Sequence, residues 1–471
     1  MNNSLFLILL LLYVSALAIV GYFTSRGASN ATFFNANKNA NWLLVSFGMI
    51  GASLSGVTFI SVPGWTSSSG MTYMIMVLGY FFGYIFIAKV LLPVYYKNNV
   101  ISIYEFLGIR LGKSSYKTGS LFFLLSRIVG ASARLYIVTV VVQVLICDSL
   151  GIPFVLTAVF ILVLIALYSA TGGIATIVIT DTLQTVLMLS AAIMAFFFVG
   201  KEVVTENNTY WSTLRSHSHW HFIDLDGPKS WWRQFLGGAA IAIAMTGLDQ
   251  DMMQKNLTVR TLRNAQKNMV LLGLSLLVVN LLFLSLGIFL SEFAAGNNIG
   301  ASGDKLFSSI VMHPTFPAAL PVVFFLGLLA AAFSSADSAL TSLTTVFCID
   351  FLGLKGDSST NTRSIVYAGF MVVLLIVMLL IYSLKSETII GTLFRVAGYT
   401  YGPLIGLFSF ALIFGRKLFG WNVLVVCIVA PIISHQISLW APHLGYAIGF
   451  ELLVYNGILT FLGLWLISKR P

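Results

Sequence analysis

Charge is scarce in this chain: only 9% of its 471 residues are Asp, Glu, Lys or Arg, against about 25% in an ordinary soluble domain. With 58% hydrophobic residues and a mean hydropathy of +0.93, a soluble globular protein is excluded. Cysteine is equally sparse. Cys147, Cys348 and Cys427 show no CxxC spacing, so neither a disulfide framework nor a thiolate metal site is indicated. No Pro/Ser-rich linker, charged tail or polar domain interrupts the apolar runs, and the longest loop covers only 201–232. That leaves no room for a fused enzyme, a receptor ectodomain or a kinase module. Nucleophile–base pairs, zinc motifs and phosphate-binding loops are also missing, so the chain reads as a non-enzyme.

What is present is a train of apolar runs, each long enough to cross a hydrocarbon core of roughly 30 Å as a helix. Spans are predicted at 4–24, 42–67, 72–96, 118–147, 153–170, 174–200, 233–252, 266–292, 317–351, 365–384, 388–415, 421–439 and 446–468, thirteen in all. No basic residue precedes the first run and Arg26 follows it, which predicts a retained helix with its N-terminus outside and the C-terminus in the cytoplasm. The basic residues agree. Sixteen, Lys255 and Arg363 among them, fall in segments predicted to face inside, and six in outer segments. The net charge of +10 is therefore an inner belt facing anionic lipid in the cell membrane, not a nucleic-acid surface. His217, His219 and His221 alternate in the longest outer loop and read as a solvated loop rather than a metal site.

Two spans carry helix-breaking composition: "GASLSGVTF" at 51–59 and "AMTGLDQD" at 244–251. They lie five spans apart, the spacing of a transporter built from two inverted five-helix repeats. Interrupted backbone survives at membrane depth only where it lines a cavity or binds something.

A third segment, "AAAFSSADSALTS" at 330–342, sets Ser334, Asp337, Ser338 and Thr341 on one helical stripe. Asp337 must be neutralised by a proton, a basic partner or a cation. Asp181 is a second acid inside a span. Two buried carboxylates repel unless something positive lies between them. Oxygen-only donors suit a hard cation such as sodium, with a shared proton as the competing reading.

Together with "YSATGGIATIVITDTLQ" (168–184), "TGLDQDMMQK" (246–255) and "RVAGYTYGPLIGLF" (395–408), these residues resemble the sodium:solute symporter family over nearly the whole chain. The resemblance implies an all-α membrane protein of LeuT-type fold in one domain: a leading helix (4–24), a first repeat (42–200), a second repeat (233–415) and two trailing helices (421–468). It implies a sodium site made by the carbonyls of Gly51, Leu54 and Ala331 and the hydroxyls of Ser334 and Ser335. A further sodium site maps onto Asp181, Ser334, Asp337 and Ser338. There Asp337 departs from the hydroxyl of relatives, either strengthening sodium binding or carrying a proton in its place. One or two sodium ions and no organic cofactor are implied.

The solute is expected at the midplane between the broken helices. The galactose-binding pattern of the family is missing, since Thr58, Val77, Ala242, Leu276 and Arg395 occupy those positions. Ser53, Ser55 and Thr58 instead resemble the hydroxyl set of the sialic-acid transporters, with Tyr73, Tyr80 and Trp65 as walls. Arg127 and Arg134, seven residues apart, face one side of their helix, and Arg395 comes from a later span. Guanidinium groups hold carboxylates bidentately; alternatively these arginines pair with acids such as Asp249. The resemblance puts the substrate arginine at Arg127 or Arg134. The expected activity is sodium-coupled import of a small polar solute, a carboxylate such as sialic acid or a related sugar acid. Alternatives are a neutral sugar, polyol or amino acid, or a passive channel or sensor. Sequence leaves the oligomeric state open.

One sodium ion moving down a tenfold gradient and 100 mV releases about 3.7 kcal/mol, and importing a monoanion against that voltage costs about 2.3. A single ion then leaves about 1.4 kcal/mol, two ions about 5.

Overall fold

A computed structural model describes residues 3–468 apart from 27–28, 206–207, 228–229, 355–359, 384–388, 447 and 450. With no water at membrane depth, an apolar chain satisfies its backbone within helices, and no strand occurs among the described residues. The principal helices are α1 (Asn3–Ser25), α2 (Trp42–Ser53), α3 (Gly56–Ser69), α4 (Tyr73–Phe86), α5 (Lys113–Val142), α6 (Phe154–Ser169), α7 (Ile174–Val203) and α8 (Trp231–Ala242). They continue as α9 (Gln250–Leu257), α10 (Leu262–Gly296), α11 (Ala319–Val346), α12 (Thr360–Ser383), α13 (Ile389–Ile413), α14 (Asn422–Trp440) and α15 (Leu452–Ile467).

Eight described helices are individually long and apolar enough to span, and the bent pair α2 and α3, turned by 57°, makes a ninth. Phe154–Ser169, Ala397–Ile413 and Leu452–Ile467 are apolar but shorter. The predicted seventh span is divided between α8 and α9. Among the described residues length and apolarity alone thus mark up to nine spans, and the three shorter apolar helices fall below that length.

Helix α11 is the axis of the core, with every residue from Gly327 to Val346 buried. It packs against α7, α5 and the bent pair. Helices α4 and α8 meet backbone to backbone. A methyl group on Gly79 would fall 2.2 Å from the Phe235 carbonyl oxygen, and one on Gly238 2.2 Å from that of Met76. Only glycine admits such an approach.

Two inner-belt assignments are corrected. Lys255 lies not in a loop but on α9, 1% exposed. Arg363 is 5% exposed near the start of α12, where its Nη1 donates to Asn30 Oδ1 at 3.1 Å. Every residue of α9 is buried, although five of its eight side chains, Gln250, Asp251, Gln254, Lys255 and Asn256, are polar or charged. Each needs an internal partner to stay at that depth.

Candidate ion and substrate site

The two predicted interruptions are real breaks, and the protein treats them differently. After α8 comes a wide turn closed by the Leu248 amide on the Ile243 carbonyl at 3.0 Å; Asp249 is then extended and caps α9 by accepting from the Asp251 amide at 2.8 Å. The carbonyls freed there are taken up. Tyr95 donates to the Gly247 oxygen at 2.8 Å and Tyr104 to the Leu248 oxygen at 3.0 Å. Gln250 clamps the chain opposite, accepting from the Ile103 amide and donating to the Ile101 carbonyl, both at 2.9 Å.

Between α2 and α3 the last helical bond runs from the Leu54 amide to the Ile50 carbonyl at 2.9 Å, and Ser55 is extended. No donor among the described residues reaches the carbonyls of Gly51, Ala52, Ser53 or Leu54 across this break. Buried carbonyls are rarely left so. Gly56 lies against α11, where a methyl on it would sit 3.6 Å from Ala332 Cβ, and the Gly51 amide donates to Thr185 Oγ1 on α7 at 3.1 Å. Ser335 Oγ is bonded back to the Ala331 carbonyl at 3.3 Å.

One turn away lies a dense polar cluster. Ser334 Oγ donates to Asp181 Oδ1 at 2.5 Å, and Lys255 Nζ stands 2.7 Å from Asp181 Oδ2, with both charged side chains 1% exposed. Asp337 accepts from the Tyr168 hydroxyl at 2.8 Å and from the Ser338 amide at 2.5 Å. The hydroxyls of Ser338 and Thr341 are buried without a hydrogen-bond partner. Gly48 presses on the cluster from α2; a methyl there would lie 2.9 Å from Asp181 Cβ. Tyr13 of α1 reaches the same helix, accepting from Gln184 at 3.0 Å.

A cavity of about 130 Å³ opens beside the first break. Ser53, Ser55, Thr58, Tyr73, Arg127 and Arg134 line it, with Tyr80, Ala242, Leu276 and Asn280 among the other walls. Ser55 and Thr58 hydroxyls are 3.4 Å apart, and those of Tyr73 and Tyr80 3.3 Å. Trp65 stands edge-on to Tyr73 at 5.4 Å between ring centroids. Val77 is 1% exposed on α4 and is not part of this lining. The side chain of Arg395 lies outside the described residues.

The two arginines differ in charge balance. Arg127 is ion-paired with Asp251, and its Nη1 is 3.8 Å from Asp249 Oδ2. Asp249 also accepts from the Tyr401 hydroxyl. Arg134 has no acidic partner among the described residues. An unpaired guanidinium at a cavity wall can bind an anionic ligand, whereas one shared by two carboxylates is already neutralised.

Sequence reasoning missed Lys255 as the partner of Asp181. The quoted motif "TGLDQDMMQK" held the signal, since in α9 Asp251, Gln254 and Lys255 fall at i, i+3 and i+4. In the loop 201–232, His217 Nε2 lies 3.0 Å from Glu292 and His221 Nε2 3.8 Å from Asp224. No group of three or more His, Cys, Asp or Glu able to hold a metal occurs among the described residues.

Comparison with known proteins agrees with this architecture. The sodium-dependent multivitamin transporter of Oryctolagus cuniculus is 25% identical over 425 residues, covering 86% of this chain but only 65% of that protein. The sodium/sialic acid symporter SiaT of Proteus mirabilis (strain HI4320) is 24% identical over 486 residues, covering 95% of this chain and 93% of the relative. Among solved structures, a substrate-bound, outward-open Na+-coupled sialic acid symporter matches with a TM-score of 0.80 over 99% of both chains at 20% identity. At that identity the likeness establishes fold, the all-helical LeuT type anticipated from the motifs. The model of the sodium:solute symporter family matches residues 33–418, most of the polypeptide, and the chain belongs to that family.

Proposed function

We propose that this protein is a sodium-coupled symporter that imports a small hydroxylated carboxylate by alternating access. The observation that carries the reading is the break at Leu54–Ser55, whose freed carbonyls find no donor among the described residues while those of the second break do. Sodium, a hard cation satisfied by oxygens, suits the carbonyls of Gly51, Leu54 and Ala331 and the hydroxyls of Ser334 and Ser335. Binding there draws the broken helix and α11 together and completes the adjoining cavity. Asp181, Asp337 and Ser338 extend this oxygen set on the side where the Lys255 ammonium lies against Asp181.

In the cavity Arg134 takes the carboxylate, with the hydroxyls of Ser53, Ser55 and Thr58 and the aromatic wall at Tyr73 serving the rest of the solute. A sugar acid fits that donor set, and sialic acid is the solute named for two similar transporters. The inverted repeats are 42–200 and 233–415. The N-terminus is placed outside and the C-terminus in the cytoplasm, and no catalysis is assigned.

The test is uptake by proteoliposomes under an imposed sodium gradient, comparing sialic acid, short monocarboxylates and neutral sugars. Concentrative uptake of an acid, lost in the Ser334→Ala/Ser335→Ala protein, is the expected result. Solute that equilibrates without accumulating would identify a channel instead.

A further inference from the structure

Lysine on a membrane helix ordinarily stretches its stem toward the interface and keeps its ammonium in water. Lys255 does the opposite. Its ammonium is 2.7 Å from Asp181 Oδ2, and its other N–H groups have no acceptor among the described residues. The carboxylate is engaged on both sides, by Ser334 on Oδ1 and by Lys255 on Oδ2. Gly48 holds it from behind, leaving no space for a methyl group between α2 and Asp181.

Resting on the sodium-coupled reading above, we infer that Lys255 is a tethered cation that stands in for a sodium ion at Asp181, so that the protein binds a single sodium ion, at the Leu54–Ser55 break. Asp181 and Lys255 cancel each other's charge at 2.7 Å, so a sodium ion added at that carboxylate would leave a positive charge uncompensated in a region that tolerates little net charge. A second sodium at Asp181 would share its carboxylate with an ammonium group, and like charges at that spacing repel strongly when water is excluded. Among the described residues no basic side chain lies within ion-pairing distance of Asp337; the Tyr168 hydroxyl and the Ser338 amide serve it instead.

The coupling follows. One sodium ion with one monocarboxylate carries no net charge, so accumulation follows the sodium ratio and ignores the membrane voltage.

The experiment counts radioactive sodium bound per chain by equilibrium dialysis on the purified full-length protein, for wild type, Lys255→Gln and Lys255→Arg. One ion per chain with hyperbolic saturation is expected for wild type and Lys255→Arg, and two with sigmoidal saturation for Lys255→Gln. Two ions on the wild type, or one on a folded Lys255→Gln protein, overturns the inference but leaves sodium coupling intact. No sodium on the wild type removes the parent reading as well. A purely structural lysine would lower the melting temperature of Lys255→Gln without changing the count. Should that variant not fold, voltage decides: wild-type uptake of the acid unchanged by an imposed potential supports a single ion, and voltage-driven uptake refutes it.

Discussion

Arg127 and Arg134 stand on one face of α5, yet their replacement should have opposite consequences. Arg134 lines the cavity without an acidic partner among the described residues, so its guanidinium can give a carboxylate two parallel charge-assisted hydrogen bonds. Each such bond contributes about 1.5 kcal/mol or more, so Arg134→Ala should weaken binding by about 3 kcal/mol, roughly a hundredfold in Kd. Arg134→Lys keeps the charge but loses the fork, and about tenfold is expected. Neither change should lower the melting temperature much. Arg127→Ala removes the partner of Asp251 and Asp249 and leaves buried carboxylates uncompensated, a loss of about 3–5 kcal/mol in stability. Calorimetric titration with the acid in sodium buffer, beside thermal unfolding of the same preparations, measures both effects. A neutral amide of the substrate supplies the cross-check, since it should bind wild type and Arg134→Ala equally. A Kd within twofold of wild type for Arg134→Ala, or an affinity loss confined to a stably folded Arg127→Ala, would refute the assignment.

Gly48→Ala puts a methyl 2.9 Å from Asp181 Cβ, an overpacking of about 1–3 kcal/mol; it should lower the melting temperature and weaken sodium-dependent stabilisation, and unchanged values for both would show that the contact relaxes freely. Tyr104→Phe strips the donor from the Leu248 carbonyl, at about 1–3 kcal/mol. A thermal midpoint equal to that of wild type would mean that another donor takes its place. Burial and the neighbouring His217 and His221 hold the His219 imidazole below the ordinary histidine range. Its folded pKa lies below the unfolded one, so the stability it contributes is present above about pH 6.5 and is lost as pH falls below that value. The Met71 amide, which donates to the His219 and His221 carbonyls at 3.1 and 3.0 Å, should then exchange faster than its intrinsic rate predicts, and constant protection across that range would contradict this.

Hydropathy shows where a chain must satisfy its own backbone, so the long helices were legible from residue types alone. The same holds for the two interruptions, because Gly and Ser at 51–56 and the polar run at 246–251 cannot continue an apolar helix without cost. Periodicity also put Ser334, Asp337, Ser338 and Thr341 on one buried stripe of α11. What sequence could not convey was pairing between distant segments. Lys255 follows a stretch of Asp, Gln and Met, which reads as a loop; its burial depends on Asp181, Phe34 and Thr345 accepting from or pairing with α9. Arg127 and Arg134 were indistinguishable for the same reason, since the acids that separate them lie on the far side of a break more than a hundred residues on.

The glycine seam between α4 and α8 has a mechanical meaning. With Gly79 and Gly238 each facing a carbonyl at a spacing that admits no carbon atom, the two rods cannot slide past one another without driving backbone into backbone. They must travel as one plank, and any hinge in the bundle has its bearing elsewhere.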